Sequence, residues 1–105
     1  MVIRHPRYPQ YDMQQRVQAF AYTSALLMPA RGGRKWALII NTSSDICQIH
    51  LGAFKSAEPW SAINLAQWGA FQIDSLTPWY GEVWINSFEG TGSGNVIYTD
   101  VFERP

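Results

Sequence analysis

Asp74 and Glu82 flank a loop holding Pro78, Trp79 and Tyr80, and a hairpin that set them face to face would supply the two carboxylates of a glycosidase. Such a pair must stand about 5–10 Å apart, and both positions suit turn or rim residues better than a buried acid–base couple. Cys47 and His50 are the other candidates for a nucleophile and its base. On an alternating strand their spacing sends them to opposite faces, so the thiol reads as buried structural sulfur. The run Gly90-Thr91-Gly92-Ser93-Gly94 has the glycine content of a phosphate-cradling loop. It follows one strand and leads into another, where a phosphate loop would lead into a helix N-terminus, and so reads as a flexible hairpin tip. Cys47 is the single cysteine and cannot close an intrachain disulfide, and with His5 and His50 it offers no four-ligand zinc spacing. The sequence therefore predicts no enzyme, metal site or cofactor.

What remains are residues suited to binding. Arg31 and Arg34 bracket Gly32-Gly33 and could hold a phosphate or an acidic partner surface, although arginines beside a turn more often only solvate it. Five tryptophans, at 36, 60, 68, 79 and 84, are many for a chain of 105 residues. Trp60, Trp79 and Tyr80 sit in Pro-containing loops, where aromatics can stack on sugars, anchor a protein interface or cap the open ends of a sandwich.

These side chains must be positioned by one small domain. Hydrophobic residues make up 47% and charged residues 15%, enough apolar surface to fold a single core. Lys plus Arg and Asp plus Glu number eight each, so the global attraction that drives nucleic-acid binding is missing and none is expected. No apolar run reaches membrane-spanning length, and Arg4 and Arg7 are followed by polar residues instead of a secretory h-region, so the expected site of synthesis is the cytoplasm.

Residues 1–15 are polar, Pro-containing and Gln-rich and read as an extended N-terminal arm, with residues 16–105 as the folded domain. From Arg16 on, short β-favouring runs alternate with Gly, Pro, Asn, Asp and Ser, which predicts an all-β antiparallel sandwich or jelly-roll-like domain. Strands are expected over 16–22, 24–28, 35–41, 46–51, two short runs at Ile63–Leu65 and Phe71–Ile73, the first of which could instead be a one-turn helix, 82–88 and 95–103. In the third, Trp36, Leu38 and Ile40 face opposite to Ala37 and Ile39, so both faces are apolar and the strand should be central. In the fourth, Gln48 and His50 predict a wet face opposite Cys47, Ile49 and Leu51. Gly32-Gly33 is expected to turn through positive φ, and Gly90–Gly94 to close a hairpin.

The run Arg34-Lys35-Trp36-Ala37-Leu38-Ile39-Ile40-Asn41-Thr42-Ser43, then Leu51-Gly52, Ile73-Asp74, Gly81-Glu82-Val83-Trp84-Ile85 and a Gly-rich closing hairpin resembles small accessory virion proteins of tailed bacteriophages. The resemblance is one of texture and order over about residues 31–103. It implies a β-sandwich that decorates or cements a capsid by binding the major capsid protein or other virion proteins, as a homo-oligomer, usually a trimer, assembled into virions in the host cytoplasm. An arm would grip the neighbours, which gives Arg4, Arg7, Tyr8, Tyr11, Arg31, Arg34, Trp60, Trp79 and Tyr80 as candidate partner-binding residues. The many tryptophans depart from that pattern and leave open a receptor- or carbohydrate-binding module on a tail or fibre, with a glycan as ligand. No catalytic residues carry over.

Overall fold

The computed structural model describes residues 10–52 and 62–104. Its strands are β1 (Tyr11–Phe20), β2 (Ala25–Met28), β3 (Arg34–Asn41), β4 (Cys47–Leu51), β5 (Ile63–Leu65), β6 (Ala70–Ile73), β7 (Val83–Ser87) and β8 (Gly94–Glu103). They form two four-stranded antiparallel sheets, sheet A in the order β1-β8-β3-β6 and sheet B in the order β2-β7-β4-β5. The pairs β1–β8, β2–β7, β3–β6 and β4–β5 match the first half of the strands to the second in reverse, and β3–β8 and β4–β7 knit them together. A long folded ribbon rolled into two layers in this way has the strand order of a jelly roll. The all-β sandwich expected from strand spacing is the fold.

Several local expectations are corrected. The first strand begins at Tyr11, not Arg16: residues 11–15 of the expected arm pair with Glu103 through Thr99 of β8. Their polar texture hid a strand because the ladder to β8, a non-local partner, satisfies the backbone whatever the side chains. Residues 1–9 of the arm lie outside the described residues. The glycine-rich run is not a hairpin loop, since β7 lies in sheet B and β8 in sheet A; it carries the chain between layers. Neither Gly32 nor Gly33 turns through positive φ; among the described residues only Gly52 and Trp68 do. The room that Gly33 supplies is for close approach, because a Cβ there would lie 3.0 Å from the Glu103 Cβ.

The core lies between the sheets. Sheet A contributes Phe20, Ala37, Ile39, Ile73, Val96 and Tyr98, and sheet B contributes Leu27, Met28, Cys47, Ile49, Leu65, Val83 and Ile85. β3 is central, as its two apolar faces require, lying between β8 and β6. β4 departs from its expected wet face: Gln48 and His50 are buried together with Cys47 and Ile49. β4 is an inner strand of sheet B, so β7 and β5 shield both its flanks. The polar atoms find one another there. His50 Nε2 lies 2.6 Å from Asn86 Oδ1, and Asn86 Nδ2 donates to Gln48 Oε1 at 3.2 Å.

Candidate binding surface

The side chains that point away from the core on sheet A form a face that is largely uncharged and in part apolar. Register sets them in rows across the strands. Val17 lies beside Ile97, Ile97 beside Ile40 and Ile40 beside Ala70. The next row runs Gln15, Thr99, Leu38 and Gln72, and the third runs Met13, Val101 and Trp36. Tyr11 closes the face opposite Glu103, whose carboxylate is paired with Lys35 at 3.7 Å. Every other residue in these rows is uncharged. Val17 is 67% exposed, Met13 63% and Tyr11 49%, and Ile97 is also exposed.

β1 is the unusual member of this face. Its alternation places Tyr11, Met13 and Val17 on the outside, while Asp12, Gln14, Arg16 and Gln18 lie on the side of the core. Of the ten residues only Phe20 is buried. The strand is thus amphipathic in the inverse sense, with its large apolar side chains presented to solvent. Large apolar side chains exposed together in this way, here in two rows on either side of Gln15, Thr99, Leu38 and Gln72, suit an interaction surface.

Arg31 and Arg34 belong to a different place. The β3–β8 register shifts between Arg34 and Trp36, leaving Lys35 as an extra residue. Strict alternation from Ala37 and Ile39 would turn Lys35 inward; the bulge turns Lys35 out and Arg34 in. Arg34 is 3% exposed, and all five of its N–H donors are engaged. Nε and Nη2 reach the two oxygens of Asp100, Nη1 donates to the carbonyls of Trp79 and Gly81, and Nη2 also donates to that of Pro29. Arg34 is thus placed in the interior as a buried tie between chain segments, away from the surface on which the turn arginines were expected. Arg31 donates to Asp100 at 3.0 Å and to Gln14 at 2.9 Å, with its guanidinium 3.7 Å from the centre of the Phe102 ring. A cleft of about 510 Å³ opens beside Arg31, Gly33, Phe102 and Arg104. Arg104 is likewise engaged there, with Asp12 and Gln10.

The loop aromatics divide. Trp79 packs against the core, its Nε1 donates to the Glu82 carbonyl at 2.9 Å, and its ring lies over Gly81, where a Cβ would come within 2.7 Å. Tyr80 is exposed and gives its carbonyl to the Arg31 N–H. Arg4, Arg7, Tyr8 and Trp60 lie outside the described residues. Trp68, which loop composition alone did not mark for binding, is 68% exposed and holds a left-handed φ of 66°. Its N–H donates to the Asn41 carbonyl at 2.6 Å, and the turn is also tied by the Asn41 N–H to the Gly69 carbonyl and the Gly69 N–H to the Ala66 carbonyl.

Asp74 closes its own turn, accepting from the N–H groups of Thr77 and Leu76 and from the Gln72 side chain. Those bonds, the Thr77 N–H foremost, hold its carboxyl below the usual value of 3.8. This is the bonding of a turn-forming aspartate. Cys47 is wholly buried in the core, on the opposite face of β4 from His50. Comparison with protein-family models, with curated proteins and with solved structures finds no match for this chain.

Proposed function

We propose that the chain is a non-enzymatic structural protein that docks through the outer face of sheet A on a larger protein assembly, and that this assembly is a tailed-phage virion, with the capsid shell as the docking partner. The observation that carries the reading is the uncharged face built by Val17, Ile97, Ile40, Met13, Val101 and Trp36, in which β1 presents Tyr11, Met13 and Val17 outward and sets both its charged residues, Asp12 and Arg16, on the other side. An uncharged face that exposes large apolar side chains suits a protein surface better than a small polar ligand. Jelly rolls recur in capsid and lectin domains, which agrees with the virion-protein texture of residues 31–103, although a fold alone assigns no function.

The test is to purify particles by density gradient from cells carrying the genome that encodes the chain and to quantify the chain in them by mass spectrometry. Wild type is expected as a regular particle component, and Ile97→Glu, at an exposed position of the face, is expected to be lost from particles while the free protein stays folded. Absence of the wild-type chain from such particles would sink the virion reading. A glycan-binding module on a tail or fibre is the second reading, favoured by exposed Trp68 and Tyr80. It requires sugar-dependent quenching of tryptophan fluorescence that Trp68→Phe removes.

A further inference from the structure

The two sheets end in four edge strands, and one of them is unlike the rest. β6, β2 and β5 have four, four and three residues, lengths that offer little backbone for pairing. β1 has ten, with no proline, glycine or lysine. It is bonded to β8 along its length on one side, and among the described residues no strand pairs with the other.

The ladder also shows which backbone groups are open. The Arg104 N–H donates to the Gln10 carbonyl, so the even-numbered residues of β1 turn their backbone groups toward β8. The Glu103 N–H donates to Gly33 and the Asn95 carbonyl accepts from Thr42, so the odd-numbered residues of β8 turn toward the β3 side. Their β1 partners, including Tyr11 and Ala19, therefore face away from β8. The open edge carries the N–H and C=O groups of Tyr11, Met13, Gln15, Val17 and Ala19, all uncharged residues.

We propose that the occupant of this edge is a second copy of the same chain, joined β1 to β1 in antiparallel fashion about a two-fold axis at Gln14. The charges of the strand select that register. Asp12 and Arg16 are the only ionised side chains in β1 and lie symmetrically about Gln14. An axis there sets Asp12 of each copy opposite Arg16 of the other, and Tyr11 opposite Val17 on the apolar side. An axis at Asp12 or at Arg16 would oppose like charges, and one at Met13 or Gln15 leaves both charges facing glutamines. Arg16 is exposed and has no ion pair among the described residues. Asp12 meets Arg104 through Oδ1, which leaves Oδ2 for the second cation. Pairing joins two copies of sheet A into one continuous sheet and merges their apolar faces. The inference concerns the strand edge, and it stands whether or not the face docks on a virion.

Sedimentation equilibrium of the full chain tests it. Wild type is expected at twice 11.9 kDa. Gln15→Pro removes an edge-facing N–H that the β8 ladder does not use, so it should yield a folded monomer. Arg16→Asp should weaken self-association by about tenfold, and adding Asp12→Arg to it should restore the dimer. The charge exchange decides the matter if the proline variant fails to fold. A wild-type monomer at high micromolar concentration, a trimer, or a dimer that neither Gln15→Pro nor Arg16→Asp weakens would overturn the proposal.

Discussion

Arg34 and Asp100 meet across the β3–β8 ladder with both side chains fully buried, Nε to Oδ1 at 2.9 Å and Nη2 to Oδ2 at 3.3 Å. The pair sits at one end of the sandwich, where it ties β3 and β8 to the carbonyls of Pro29, Trp79 and Gly81. Removing one partner strands the other charge away from water. Asp100→Ala should therefore cost about 3–5 kcal/mol in chemical denaturation. A cost under about 1 kcal/mol would mean that water reaches Arg34 and that the tie is not structural.

Gly94 pairs with Phe20 at the end of the β1–β8 ladder, and a Cβ there would collide with Ser43 and the Phe20 ring. Gly32 has open space around the same position. Gly94→Ala should lower stability by about 1–3 kcal/mol through overpacking, whereas Gly32→Ala should be close to neutral. Equal effects in thermal melts of the two variants would contradict this account of the crossover.

Burial pushes the Cys47 thiol up from 9.0 to about 11. Between those values the unfolded chain has lost a proton that the folded one keeps, so stability should be level below pH 9 and fall as pH rises toward 11, by at most about 1.4 kcal/mol per pH unit. Cys47→Ala should lack that part of the decline. A native thiol that reacts with a disulfide reagent at pH 8 as fast as the unfolded chain would show that the core is open.

Trp68 combines high exposure with a left-handed backbone that side chains other than glycine adopt at a cost. Trp68→Gly should raise stability by about 1 kcal/mol, since the exposed ring contributes little packing. A loss of stability would show that the ring is held by contacts worth more than the strain.

The layers of this fold were legible because β3 and β4 carry alternation that survives in one sequence: Ala37 and Ile39 face Trp36 and Leu38 across the strand, and Cys47 and Ile49 point to the core as their period demands. The pairing of β1 with β8 was not, because Tyr11–Phe20 finds its partner far along the chain and sets most of its polar side chains on the side of the core. The binding face was hidden for the same reason, since Met13 and Val17 become neighbours of Val101 and Ile97 only through that register. Arg34 was misplaced by a single extra residue: the bulge at Lys35 reverses which side chain enters the core, and periodicity carries no mark of it. His50 and Gln48 looked solvated because strand alternation records polarity and not the shelter that flanking strands provide.

The nested order of pairing bears on how the molecule is made. β4 can meet β5 as soon as both have left the ribosome, β3 must wait for β6 and β2 for β7, and β1 has no partner until β8 emerges. The most distant pairing, β1 with β8, closes the longest loop of the four and carries the largest loop-closure entropy. Throughout that wait the backbone of β1 lacks the ladder that β8 supplies, and its N–H and C=O groups are open to any nascent neighbour.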